Sequence, residues 1–207
     1  MAVIAAIILI FLSITAAYFL SFELAIIALA YLLMNLAYSK WLKHIPLIDV
    51  LIIAAGFVLR VAAGVSVIHV QRFSPWLYVV TTLLALYIGF GKRRAEMNVL
   101  SAENRGTHRK VLDGYSIALI DQLITVVSST TVISYSLYTF SAPNLPVNHA
   151  MMLTIPFVLY GVFRYLYLIQ IKNVGGEPEE ILLRDHPLQA TIVLWGFAVL
   201  IIFYLSQ

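Results

Sequence analysis

The chain has 207 residues, of which 62% are hydrophobic and 11% charged, with a mean hydropathy of +0.95 and a formal net charge of +3. A soluble domain is about one quarter charged, so an ordinary soluble globule is excluded, and so small a net charge makes no case for nucleic acid as a partner. There is no cysteine, which removes disulfides and thiolate chemistry.

Apolar stretches of roughly 20 residues, the length a helix needs to cross a bilayer, recur along the whole sequence. Strict alternation of apolar and polar residues is absent, which argues against a membrane β-barrel. The expected fold is all-α: a polytopic membrane helix bundle of about seven transmembrane helices, one domain over residues 1–207. Helices are expected at about 2–20, 22–40, 46–69, 75–91, 114–140, 147–171 and 188–206. No basic lead precedes the first apolar stretch, so it reads as a membrane helix and not as a cleaved signal peptide. A tight turn falls near Ser21, and Pro75 suits a helix start. SAPNLPVNH is a short uncharged loop on the far side.

Most of the Lys and Arg residues lie in three gaps between alternate spans, and the other connections carry only Arg72. The first, YSKWLKHIPLID, holds Lys40 and Lys43. The second runs from GKRRAE to RGTHRKVLDGY and holds Lys92, Arg93, Arg94, Arg105, Arg109 and Lys110. The third, IKNVGGEPEEILLRD, holds Lys172 and Arg184. Basic residues mark the cytoplasmic side, so all three gaps are expected on that face of a cytoplasmic membrane of bacterial type. Nearly all the acidic residues share them. A polar surface of both signs at one end of a helix bundle points to an anionic or metal-bound substrate.

In the first gap, Asn35 and Tyr38 are three residues apart and so share a helical face. They are suitable neutral partners for a phosphate, with Lys43 as a point charge and Asp49 following. Anchoring of the helix end by Trp41 and snorkelling lysines explains the same residues. Arg60 lies deep in an apolar run, where charge is costly and is either functional or paired. Asp49, Gly56 and Arg60 fall on one face, Arg60 about 16 Å deeper than Asp49. A substrate role and a structural ion pair with Asp121 both fit. The second gap combines six basic residues with Glu96, Glu103 and Asp113. Arginine forks bind phosphate bidentately, and carboxylates can hold Mg²⁺ bridging to a diphosphate. In the third gap, Gly-Gly before Glu-Pro-Glu reads as a turn and a short interfacial helix. Arg164 lies about two turns inside the preceding helix. His108 and His186 have no partner at metal-ligand spacing and read as surface residues.

NLAYSKWLKHIPLIDV, GFVLRVAAG, GFGKRRAE, RKVLDGYS, and FRYLYL with GGEPEEILLRD together resemble the UbiA superfamily of intramembrane prenyltransferases. The match runs over about residues 30–190 in the same order, and it is nearest to the branch that transfers phosphoribose to decaprenyl phosphate. The resemblance implies a transferase that takes phosphoribosyl diphosphate as donor and polyprenyl phosphate as acceptor, with Mg²⁺. Lys92, Arg93 and Arg94 would meet the diphosphate or lipid phosphate. Tyr38, Lys43 and Asp49 would orient the sugar phosphate. Asn35, Arg60, Arg164 and Arg184 would contact substrate, and Glu96 and Asp113 would complete a Mg²⁺ shell. The superfamily's first Asp-rich motif, N-D-x-x-D, is absent from this sequence. The resemblance therefore places the first two helices and the main Mg²⁺ carboxylates upstream of residue 1. The chain alone is then expected to have little transferase activity without a partner segment of two helices. Two alternatives stay open: a prenyltransferase acting on an aromatic acceptor, and a non-catalytic membrane scaffold or transporter half.

Overall fold

Helix starts are where the sequence supplies the chemistry for them. Ser116 accepts a hydrogen bond from Leu119 N at 3.1 Å and Asp185 one from Leu188 N at 2.9 Å, each satisfying a donor that the first helical turn leaves open. Pro75, Pro156 and Pro187 sit in first turns, where the missing N–H costs nothing. The computed structural model describes residues 1–68, 75–102, 110–143, 145–172, 174 and 178–206, with the side chains of residues 2, 3, 99–102, 110 and 179 left aside. Among these residues the structure is helical, without strands. By their contacts the residues gather into two units, 1–73 and 74–207.

The first unit holds α1 (Ala2–Leu20), α2 (Phe22–Lys40) and α3 (Ile48–Val67). A single extended residue, Ser21, joins α1 to α2. A short 3-10 turn, Leu42–His44, leads from α2 towards α3. Leu47, just before α3, has φ 67° and ψ −45°, a strained conformation for a branched side chain. α2 packs on both of its neighbours.

The second unit holds α4 (Pro75–Ala102), α5 (Ile117–Ser141), α6 (Ile155–Gln170), α7 (Pro178–Arg184) and α8 (His186–Leu205). α5 lies between α4 and α6, and α8 packs on α6. The buried stripe of α5 recurs at helical spacing and is rich in small hydroxyl residues: Ile120, Ile124, Val127, Ser128, Thr131, Ser134 and Tyr135. Thr131 donates back to the Val127 carbonyl at 2.7 Å, so its hydroxyl is satisfied without water. At the Tyr135 end, Trp195 Nε1 donates to Tyr135 Oη at 2.8 Å, and that hydroxyl meets Thr154 Oγ1 at 2.7 Å. These bonds tie α8, α5 and the 3-10 turn Ala150–Thr154 together.

Five segments are long and apolar enough to cross a membrane: 22–40, 48–67, 117–141, 150–170 and 186–205. The chain is a polytopic helical membrane protein. Against the expected seven spans, the described apolar part of α1, Ile4–Leu20, is shorter, and α4 is not among the five. The largest difference is at the end of α4. The sequence predicts a stop near residue 91, but the helix runs on to Ala102. Lys, Arg, Ala, Glu and Met after Gly91 are strong helix formers, and no proline interrupts them. The short interfacial helix expected in the third gap is α7.

Candidate functional site

The continuation of α4 determines where its three basic residues point. Successive helical positions are about 100° apart, so Lys92, Arg93 and Arg94 diverge and do not form one clamp. Arg93, 2% exposed, pairs with Glu96 one turn along its own helix. Arg94 Nε donates to Asp121 Oδ1 at 2.6 Å, and its Nη1 donates to the Ile169 carbonyl at 2.7 Å. One guanidinium thus joins α4, the start of α5 and the end of α6. Lys92 is half-buried, with no ion-pair partner among the described residues.

The same bonds bring the second and third gaps to one end of this unit. There, Arg164 holds Asp185 with both ends of its fork, Nε to Oδ1 at 3.1 Å and Nη2 to Oδ2 at 2.8 Å. The hydrogen bond from Arg164 pulls the Asp185 carboxyl below the usual carboxylate range, helped by the Leu188 N–H and opposed by burial. Arg184 pairs with Glu180 at 3.2 Å on the exposed side of α7. Asp113 is exposed in the 3-10 turn Lys110–Gly114. His186 is exposed, as expected, and its Nδ1 lies 3.2 Å from Gln189 Oε1. Glu103, Arg105, His108, Arg109, Gly175, Gly176 and Glu177 lie outside the described residues.

The described residues form no ready-made metal cage of their own. No three His, Asp or Glu side chains among them come close enough to hold a metal. Of the two carboxylates expected to do so, Glu96 is engaged by Arg93.

In the first unit, Asn35, Tyr38, Lys43 and Asp49 lie at the junction of α2 and α3. Asn35 is exposed and donates to the Tyr31 carbonyl of its own helix at 2.7 Å. Tyr38 and Lys43 are half-buried. Asp49 is fully buried in the first turn of α3, where the helix N-terminus favours a carboxylate. Arg60 departs from expectation. Asp49 and Gly56 are buried on the shared face, but Arg60 is exposed. Its Nη2 donates to Tyr31 Oη, and the guanidinium lies 5.1 Å from the Tyr31 ring centre and 5.0 Å from that of Phe57. Asp121, the partner expected for it, belongs to Arg94. On α2, Met34 and Tyr31 lie against Gly56, and Tyr31 also reaches Arg60, which stays exposed beside it.

Three features are not legible in sequence spacing. Tyr31 lies on another helix from Arg60, beyond any spacing rule. The Arg94–Asp121 pair spans two helices, and the only signal is that Asp121 sits in an apolar run and calls for a counter-charge. Gly91 and Tyr165 form a close contact between α4 and α6: a Cβ at Gly91 would sit 2.8 Å from Tyr165 Oη.

These features define a class, a helical membrane protein with paired charges gathered at one end of its second unit. No family model matches the chain. It is similar to the decaprenyl-phosphate phosphoribosyltransferase of Mycolicibacterium smegmatis, 29% identical over 191 residues, covering 88% of this chain and 59% of that protein. Proteins of the same name match from Mycobacterium tuberculosis, 29% identical over 184 residues, and from Corynebacterium glutamicum, 29% over 186 residues and 54% of its length. The chain therefore spans between half and three fifths of the length of these relatives. The resemblance drawn from the motifs leads to these same proteins.

Proposed function

We propose that the chain is part of a UbiA-type intramembrane transferase that moves phosphoribose from phosphoribosyl diphosphate to a polyprenyl phosphate. The observation that carries this reading is the similarity, over 88% of the chain, to proteins named for that transfer. An oxygen of the lipid phosphate attacks the anomeric carbon, the bond from that carbon to the diphosphate oxygen breaks, and diphosphate leaves with the electron pair. The step calls for neutralisation of charge on the leaving group more than for proton transfer. Lys92 is the basic residue best suited to this among the described residues, because carboxylates already engage Arg93 and Arg94. Arg164 and Asp185 hold the neighbouring helix ends in place. Tyr38, Lys43 and Asp49 serve the sugar phosphate. The polar ends face the cytoplasm, where the soluble donor is found. Mg²⁺ is implied by the family resemblance alone.

The test is transfer of label from radiolabelled phosphoribosyl diphosphate to polyprenyl phosphate in detergent. It is run with the chain alone and with an upstream two-helix segment of a relative supplied in trans. Labelled lipid is expected in the second arrangement. Lys92→Ala is expected to lower turnover roughly 10- to 100-fold, the loss of one charge-assisted contact. Transfer of a prenyl group to an aromatic acceptor, with no phosphoribosyl transfer in either arrangement, would overturn the donor assignment. Absence of any transfer or lipid-phosphate binding would favour a non-catalytic scaffold.

A further inference from the structure

The first unit contains a feature that this chemistry does not use. A cavity of ≈ 400 Å³ lies between α1, α2 and α3. Its lining is mostly apolar, with Leu9, Ile10, Ile14, Ile27, Leu32 and Leu59 along it, and three polar side chains interrupt it, Ser13, Tyr31 and Arg60. A guanidinium carries five N–H donors. Among the described residues Arg60 uses one of them, towards Tyr31 Oη, and it has no carboxylate partner. Two aromatic faces stabilise the cation without neutralising it. An arginine within a candidate span calls for a counter-charge, and an apolar groove leading from it calls for a chain.

We propose that this groove binds an anionic membrane phospholipid, with the headgroup phosphate on Arg60 and an acyl chain along the α1–α2–α3 groove. The position of Arg60 on α3 selects a membrane lipid over the polyprenyl phosphate substrate. Asp49 and the basic first gap lie at the N-terminal end of α3. Arg60 is eleven residues further on, about 16 Å along the axis, and only seven residues, about 10 Å, from Val67. Arg60 thus sits in the half of α3 away from Asp49 and the first gap, and its contacts with Tyr31 and Phe57 hold the guanidinium beside the groove. The fork geometry of arginine suits two phosphate oxygens at once.

The experiment is native mass spectrometry of the purified chain, titrated with phosphatidylglycerol or with phosphatidylcholine of the same acyl composition. Phosphatidylglycerol is expected to be retained roughly tenfold more tightly. Arg60→Gln is expected to abolish that preference, and Arg60→Lys to keep part of it. Ile27→Trp, which fills the groove, is expected to lower retention of both lipids. Thermal melting of each variant confirms that it is folded. Lys92→Ala is expected to leave retention unchanged, so failure here and failure of the proposed reaction are separable. Unchanged preference in a folded Arg60→Gln protein overturns the proposal. So does equal competition by inorganic phosphate, which would make the site one for soluble anions. Displacement of phosphatidylglycerol by polyprenyl phosphate at one shared site also overturns it, by returning the groove to the substrate.

Discussion

Arg94 and Asp185 each join elements that are distant in sequence. Arg94 holds a carboxylate on α5 and a carbonyl on α6. Arg94→Met would strip the Ile169 carbonyl of its donor and leave Asp121 unpaired. Asp121 keeps a third of its side chain in contact with the surroundings, which softens the penalty. The expected loss is about 2–3 kcal/mol, read as a fall of several degrees in melting temperature in detergent. Asp121→Asn, which still accepts from Nε, should cost less. Asp185 has a pH signature. Its carboxyl is held low in the folded state, so its contribution is fully present above the ordinary carboxylate pKa and is lost as pH falls through the folded value. Asp185→Asn keeps the cap on Leu188 N but loses the charge. The difference in melting temperature between wild type and this variant should therefore be steady near pH 6 and shrink below about pH 4. A difference independent of pH would mean that the ion pair contributes nothing. At this scale the charged residues are legible in the sequence, because charge in an apolar chain is conspicuous. Their partners are not. Asp121 and Arg60 look like a pair because both lie inside apolar runs, and only the packing of α4 against α5 shows that Arg94 is the neighbour of Asp121.

At the scale of elements, helix positions are legible from apolar length, and caps such as Ser116 and Asp185 from their residue types. The end of α4 is not, because a basic triplet marks a membrane boundary without ending a helix. Nor is the approach of α4 to α6. Gly91 has the look of a breaker, whereas it is the position at which the Tyr165 ring comes down on α4. That ring packs edge-on against Tyr87 at 5.1 Å, and Tyr87 Oη donates to the Val162 carbonyl at 2.8 Å. Among the described residues, Tyr165 Oη is buried without a hydrogen-bond partner. Gly91→Ala should gain up to about 1 kcal/mol of helix propensity and lose about 1–3 kcal/mol to overpacking, a net destabilisation. Tyr165→Phe removes the unpartnered hydroxyl and should be neutral or mildly stabilising. Combined with Gly91→Ala, it should recover part of the loss. Unfolding of the two single variants and the double variant measures this. Strict additivity would show that the two residues do not touch.

At the scale of the molecule, the topology is legible in the alternation of basic and uncharged gaps along the chain. The division into two units is not, since no linker of distinct composition separates them. Within the second unit the alternation takes a physical form. α5 is 25 residues long, about 37 Å at 1.5 Å per residue, more than the hydrocarbon core it would cross. Asp113 precedes it and Val147 follows it, both exposed, and Lys172 follows α6 at the end that Arg94 ties to α4. The chain has no cysteine of its own, so single cysteines report without a background. Asp113→Cys and Lys172→Cys are expected to react with an impermeant maleimide from the same side of sealed vesicles, and Val147→Cys from the other. Lys40→Cys, at the end of α2, should side with the first pair if the positive-inside rule governs the whole chain. Inverted vesicles should exchange the two groups. Labelling of Asp113→Cys and Val147→Cys from one side would mean that α5 does not cross the bilayer, and the proposed cytoplasmic site would fall with it. Labelling of Lys40→Cys with Val147→Cys would leave the second unit intact but place the first-gap residues Tyr38, Lys43 and Asp49 across the membrane from Lys92, and those three would lose their proposed part in the reaction.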